Sequence, residues 1–143
     1  MLKIKRYTFF TLFLLVSTLS ANKIAVATKV KGLVELMKVG KKEFSSLETG
    51  SILEDGDKIR TGNSGFVAII FIDDKSTLKI KENSEAVITG QRTTKDISKK
   101  INLDGGIIRA SISKQNVDFV IQTPTSVASV KGTDFWLISD DSG

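Results

Sequence analysis

Residues 65–80 read GFVAIIFIDDKSTLKI and carry the strongest strand signal in the chain. The run 66–72 is entirely apolar and rich in β-branched side chains, which predicts a central strand buried on both faces. Asp73 and Asp74 follow, and we expect them to form an exposed turn. Apolar residues then alternate with lysines as far as Ile80, the period of a strand with one solvated face. The stretch therefore predicts two consecutive strands joined by a turn.

Short β-branched runs separated by Gly, Asn and Asp continue in both directions from this stretch. No window of about 11 residues keeps the 3.6-residue period of a helix. About ten strands at roughly 8–12-residue spacing predict an all-β domain, either a sandwich or a short solenoid. The runs lie at residues 24–30, 33–39, 44–47, 52–53, 58–61, 65–72, 78–81, 86–89, 101–103, 106–112, 117–122, 126–130 and 134–138.

Residues 91–100 interrupt this pattern with a polar, mainly basic segment. They include Arg92, Lys95, Lys99 and Lys100 and only one acid. This composition predicts either a flexible loop or a long exposed hairpin.

The N-terminus has the organisation of a secretory signal peptide. A short basic head precedes an uncharged, apolar-rich stretch that ends near residue 19. This stretch is shorter than the ~20 apolar residues that a membrane-spanning helix needs. We expect cleavage after Ser20 or Ala21, so that residues 1–21 are removed and the β domain, residues 22–143, has no stable membrane span. The expected location is the periplasm or the exterior.

The composition excludes several kinds of chemistry. The chain has no Cys and no His, so it cannot hold a disulfide, a Ser-His-Asp triad or a thiolate or imidazole zinc site. After signal removal, 18 basic side chains face 16 acidic ones, a net charge of +2. Because the two signs are mixed along the sequence, we expect no nucleic-acid partner. We also expect no cofactor.

Three carboxylates fall within the four residues Glu54, Asp55, Gly56 and Asp57. Calcium binds several oxygen ligands spaced along a loop, but the EF-hand spacing is not met here. An Asp-Gly turn between two short strands is the simpler interpretation, and we expect no metal.

Two longer stretches resemble the FecR domain family, named for the periplasmic part of the ferric-citrate surface-signalling regulator. The first is residues 50–62, GSILEDGDKIRTG, continuing through residue 84, and the second is residues 123–135, TPTSVASVKGTDF. The resemblance extends over residues 26–138. The positions that match the family motif are Gly50, Gly56, Asp57, Thr61, Gly62, Thr123, Pro124, Gly132, Thr133 and Phe135.

The resemblance implies a folding signature with no catalytic residues. We expect the glycines to occupy positive-φ or tightly packed positions, and Asp57 to accept backbone N–H groups in a turn. Thr123 and Pro124 should set an extended or turn step before the last strands. The founding regulators also carry a cytoplasmic sigma-factor-binding segment. Only six residues precede the apolar stretch here, so the resemblance does not imply anti-sigma activity for this chain.

The leading hypothesis is a non-enzymatic interaction or sensing module of the bacterial envelope. Its partner would be another envelope protein or a further domain of the same protein, bound along an open strand edge. Two alternatives stay open. A polysaccharide-acting enzyme would need two positioned carboxylates. A binder of a small anion such as a ferric chelate would use Arg60, Arg92 or Arg109, which the sequence does not bring together.

The last predicted strand, residues 134–138, carries large apolar side chains on both faces, among them Trp136. Such a strand needs a partner on each edge, or one edge stays open. The sequence stops a few residues later in what reads as a turn. We therefore expect either a naturally short domain or a fragment whose next strand would close this edge.

Overall fold

The computed structural model describes residues 22–113, 118–130 and 134–139, with the side chain of Phe135 left out. The predicted signal segment lies outside these residues. The described chain is all-β, as predicted, and no helix in it is long and apolar enough to cross a membrane. Its strands are β1 (Lys23–Lys31), β2 (Val34–Met37), β3 (Ser45–Ser46), β4 (Ile52–Glu54), β5 (Asp57–Thr61), β6 (Phe66–Phe71), β7 (Thr77–Ile80), β8 (Glu85–Arg92), β9 (Ile97–Ser111), β10 (Phe119–Gln122), β11 (Val127–Val130) and β12 (Asp134–Ser139).

One continuous sheet contains all of these strands and curls so that its two halves face each other. The main path runs β3-β2-β5-β8-β9-β7-β6-β1-β4. Half A consists of β4, β1, β6, β7, the second part of β9 and β12, and half B consists of β3, β2, β5, β8, the first part of β9, β10 and β11. The pairs are antiparallel, apart from a parallel pair between β9 and β10. This curled half-barrel agrees better with the sandwich prediction than with the solenoid prediction.

Strand β9 joins the two halves. Its first part pairs with β8 and its second part with β7. The register shifts where Glu85 lies opposite Gly105 and Ala86 opposite Leu103, which leaves Asp104 as the extra residue of a β-bulge. Because a bulge bends its strand and increases the local twist, it lets one strand belong to both halves. The sequence predicted two strands here, at 101–103 and 106–112, and the structure corrects this to one.

The core lies between the inner faces of the two halves. Ile69 and Phe71 of half A and Ile101 and Phe119 of half B belong to this core, and all four are fully buried. The rings of Phe71 and Phe119 pack edge to face with centroids 5.7 Å apart. Period-2 alternation places these residues inward, since successive side chains of a strand point to opposite faces.

Strand β6 shows where the prediction for residues 66–72 was wrong. It is central, with β1 on one side and β7 on the other. Its odd-numbered residues are fully buried, but Phe66, Ala68 and Ile70 are only half-buried. The apolar run therefore has one core face and one partly solvated face, because the sheet curls around a single core.

The polar segment 91–100 contains the end of β8, the turn and the first residues of β9. It is therefore the tip of a long hairpin, which was one of its two predicted forms. Strands β8 and β9 pair from Arg92 opposite Ile97 down to the bulge. Its exposure was predicted incorrectly in part, because Ile97 and Lys99 are buried.

Candidate functional site

The turn between β4 and β5 is organised by the Asp57 side chain. Asp57 is fully buried and accepts hydrogen bonds from the backbone N–H groups of Glu54 at 2.9 Å and Val39 at 3.2 Å. Lys38 Nζ donates to the same carboxylate at 2.9 Å. The predicted role of Asp57 as an acceptor of backbone N–H groups is confirmed. The carboxylate closes a turn and fixes two loops.

The first glycines of the motif serve this region in two ways. Gly50 and Gly56 have φ values of +91° and +88°, which residues with a Cβ atom rarely adopt. Gly62 has no such φ but lies so close to Leu33 that an added Cβ would stand 2.8 Å from its Cδ2 atom. Both expected reasons for glycine, positive φ and tight packing, therefore occur in the motif.

Thr61 connects the end of β5 to the turn that precedes β8. Its hydroxyl donates to Lys81 O and accepts from the Ser84 N–H at 2.9 Å. The Ser84 hydroxyl in turn accepts from the Ile107 N–H at 3.0 Å. This chain of hydrogen bonds fixes the corner where β9 passes between the two halves. An added Cβ at Gly106 would stand 2.1 Å from Ser84 Oγ, so the corner requires glycine there.

The second motif stretch begins with the β10–β11 turn. The Thr123 N–H donates to Ser126 O at 2.8 Å, and the Ser126 N–H donates to Thr123 Oγ1 at 3.0 Å. Pro124 lies inside this closed turn, so the turn form of the prediction is the one observed. Gly132 and Thr133 lie outside the described residues. Phe135 pairs with Ala110 through the β9–β12 ladder.

The described motif residues make separate structural contacts and line no common cleft, since Thr61 borders one shallow cavity while Thr123 and Pro124 border another. A shallow cavity of about 350 Å³ lies beside the Thr61 corner, with Arg60, Glu85 and Asp104 among its lining residues. Its charged side chains are already paired, Arg60 with Glu35 at 2.8 Å and Glu85 with Lys58. The described motif residues thus act in folding.

The three arginines considered for an anionic ligand lie far apart in the fold. Arg60 is on β5, where it binds Glu35 and stacks on the Phe44 ring at 3.8 Å. Arg92 is at the end of β8, and Arg109 is on the second part of β9. The structure does not gather them into one site.

A buried ion triad was missed by the sequence analysis. Lys99 Nζ lies 2.8 Å from Asp73 Oδ2 and 3.0 Å from Asp74 Oδ2, and all three side chains are at most 8% exposed. The predicted exposed turn at Asp73 and Asp74 is therefore wrong. Burial raises the pKa of Asp73, but the hydrogen bonds from Lys99 and the Ile97 N–H outweigh it and lower the pKa below its usual value.

A signal for this triad was present in the sequence. Lys99 lies between Ile97 and Ile101 at a spacing of two, and both isoleucines point into the core. Strand alternation should therefore have placed Lys99 inward, where a charge needs a partner. The partners could not be identified, because they lie about 25 residues earlier in another strand connection.

The C-terminal strand presents an open edge and an exposed apolar surface. One edge of β12 pairs with β9 from Asp134 to Ser139, and no strand of the described chain pairs with the other. Trp136 and Ile138 are 51% and 69% exposed on its outer face. Leu137 packs against the core from the inner face. We take this strand as the candidate interaction site.

In the described part of the chain, no three acidic side chains come together in a way that could hold a metal ion. The Glu54–Asp57 segment forms the turn that the simpler interpretation predicted. Asp55 Oδ1 accepts the Gly90 N–H at 2.9 Å, while Asp57 is turned inward.

Comparison with known families gives one match. The sequence model of the FecR family, described as FecR protein, matches residues 57–143, more than half of the chain. The match begins at Asp57, so Gly50 and Gly56 precede it. No curated protein and no solved structure matches the chain.

Proposed function

We propose a function from the premise that this chain belongs to the FecR family. The protein is a signalling or regulatory module of the bacterial envelope, and it performs no catalysis. The family is a regulatory one, and the described motif residues make folding contacts. The signal-like N-terminus supports export to the periplasm.

The module acts by receiving an extended segment of another envelope protein, or of a further domain of the same protein, along the open edge of β12. The observation that carries this proposal is the free edge beside the exposed Trp136 and Ile138. An unpaired strand edge offers a row of backbone donors and acceptors, and adjacent side chains supply specificity.

The other outer strands are less suitable for this role. β3 has only two residues, and β11 has four. β4 is tied to half B, because Lys38 Nζ donates to Ile52 O at 3.0 Å and the Gly56 N–H donates to Ile88 O at 2.9 Å. β12 offers six residues in regular register with β9.

Site-specific photocrosslinking in living cells tests the docking edge. A photoreactive amino acid replaces Ile138 on β12 in one variant and Lys100 on the outer face of half B in the control. We expect a discrete crosslinked envelope protein with the Ile138 variant and none with the Lys100 variant. Equal adducts from both positions, or no adduct from position 138, would contradict docking at β12.

The location is tested separately. We expect N-terminal sequencing of the periplasmic protein to begin at Ala21 or Asn22. An intact Met1 in the membrane fraction would show that the apolar stretch is an anchor.

A further inference from the structure

The outer face of half A carries a row of five residues across five strands, and three of them are cations. Arg109 of β9 lies directly opposite both Trp136 of β12 and Lys79 of β7. Lys79 in turn lies opposite Ala68 of β6, and Ala68 lies opposite Lys29 of β1. All five belong to the outer face. On β6, β7 and β9 the alternate residues are buried, and on β1 and β12 Val30 and Leu137 pack against the core from the other side.

A second row runs parallel to the first. Ile138 lies opposite Ile107, whose carbonyl accepts the Lys81 N–H at 2.9 Å. Phe66 follows on β6 and lies opposite Lys31 of β1. The two rows together place basic, aromatic and aliphatic side chains on one surface.

This surface, which we call the basic face, is almost free of acids. The described outward residues on β6, β7, β12, the second part of β9 and residues 26–31 of β1, together with Lys81, include a single acid. This acid is Asp134, which pairs with Arg109 at 3.3 Å. The exposed Glu82 lies at the margin, in the turn after Lys81. Lys81 and Arg109 both lie over the Trp136 ring, at 5.1 Å and 5.0 Å from its centroid. The cations of the basic face are Lys29, Lys31, Lys79, Lys81 and Arg109.

The basic face is wide and shallow. Neighbouring strands lie about 4.8 Å apart, so its five strands extend over roughly 20 Å. Residues two apart on one strand, such as Lys79 and Lys81, are separated by about 6.6 Å. The depression described on it is lined by Thr77, Lys79, Arg109 and Ser111 and holds only about 130 Å³. Cations spread over roughly 20 Å suit an extended array of negative charges better than a single small anion or a chain lying in a groove.

We propose that the basic face binds the surface of an anionic lipid bilayer. Lysines and arginines near such a surface attract its anionic headgroups, and each one strengthens binding by roughly fivefold at low ionic strength. Trp136 and Ile138 enter the headgroup region, where tryptophan is favoured because its ring is apolar and its N–H is polar. The occupant follows from charge complementarity and does not depend on the identity of any protein partner at β12.

The test uses residues 22–143, which contain every described strand, and sedimentation with lipid vesicles. One set of vesicles contains equal parts of phosphatidylglycerol and phosphatidylcholine, and the other contains phosphatidylcholine alone. We expect sedimentation with the anionic set only, weakening as salt is raised because the attraction is screened. Trp136 is the only tryptophan of the chain, so a blue shift of its emission reports entry of this face into the headgroup region.

A matched pair of charge-reversal variants locates the contact. Lys79→Glu with Lys81→Glu alters the basic face, whereas Lys42→Glu with Lys100→Glu makes the same change of net charge in half B. We expect binding to fall at least 25-fold in the first and less than fivefold in the second. If the first variant does not fold, Lys79→Gln with Lys81→Gln is used, and a loss of about 25-fold is expected because two cations worth roughly fivefold each are removed.

Three results would overturn the proposal. The first is the absence of binding to the anionic vesicles, and the second is equal weakening by both variant pairs. The third is a Trp136 emission shift produced by soluble polyglutamate but not by vesicles, which would assign the face to an acidic protein segment. Binding to vesicles with the predicted difference between variants supports it.

Discussion

The two outer faces of the curled sheet arrange their charges differently. On half B, Arg60 pairs with Glu35 at 2.8 Å, and Lys58 contacts both Glu85 and Asp104. With Lys100 included, the outward positions of half B carry three cations and three acids. The basic face, which leaves out β4 with its outward Glu54 and the start of β1, carries five cations and one acid.

The difference in charge pairing between the two faces shows which arrangement stabilises the sheet and which one the fold only tolerates. Opposite charges on neighbouring strands stabilise a sheet, while like charges directly opposite each other destabilise it. Half B has the stabilising arrangement. Half A places Lys79 directly opposite Arg109, an arrangement that costs stability and that a ligand of opposite charge would relieve.

The largest expected effect compares the inner and outer faces of β6 and tests whether the outer face contributes little to stability. Ile69→Asp buries a carboxylate in the core of β6, where Ile69 is fully buried, and should cost about 4 kcal/mol or more. Ile70→Asp, one residue along and on the half-buried outer side, should cost about 1 kcal/mol. Urea unfolding midpoints of the two variants decide this. Similar costs would contradict the assignment of inner and outer faces.

The next effect concerns a cation that is paired inside the molecule. Lys99→Met leaves Asp73 and Asp74 without their shared cation and should cost roughly 3 kcal/mol. Lys100→Met, the adjacent exposed lysine, should change stability by no more than about 0.5 kcal/mol. Thermal unfolding of both variants at neutral pH measures the difference. A tolerated Lys99→Met would mean that the triad is not buried in solution.

Most strand positions and the all-β class followed from the sequence, because a period of two and frequent turn residues are local signals. Lys79 and Lys81 were correctly placed on a solvated face by this alternation. The basic face itself could not be predicted, since it depends on β9 crossing between the halves and bringing Arg109 beside Lys79. Basic and acidic residues are mixed along the sequence, with a net charge of +2 after signal removal. The strand topology nevertheless brings basic residues together on one face.

Among the motif residues too, local contacts were predictable from the sequence and long-range contacts were not. The role of Asp57 as an acceptor in a turn was predictable, because Glu54 lies three residues away. Its burial and its bonds with Val39 and Lys38 were not, because those residues lie 18 and 19 positions earlier. The Thr61–Ser84 contact joins residues more than 20 positions apart, so the pattern marked Thr61 without revealing its partner. Long-range pairing is what the sequence alone did not supply.

A smaller effect compares one lysine on each face directly. Lys79→Gln should raise stability slightly, by about 0.2–0.5 kcal/mol, because it removes a repulsion with Arg109. Lys58→Gln should lower stability by about 0.2–1 kcal/mol, because it removes the ion pair with Glu85. Urea midpoints at low salt measure both, and both differences should shrink at high salt. Changes of the same sign would remove the distinction between the two faces.

The smallest effect concerns Asp134, the acid at the margin of the basic face. The Ser111 hydroxyl, followed by Arg109 and Lys79, holds the pKa of Asp134 below its usual value. Because the folded pKa is the lower one, the associated stability is present above the unfolded pKa of about 3.9 and is lost as pH falls through the folded pKa. Carboxyl-carbon NMR titration should show Asp134 ionising below that value, and Ser111→Ala should move its pKa upward. Arg109→Gln should move it upward too, whereas Lys100→Gln on the other face should not. An unshifted Asp134 would mean that its carboxylate is not held against Ser111 and Arg109, and the basic face would then have no internally paired acid.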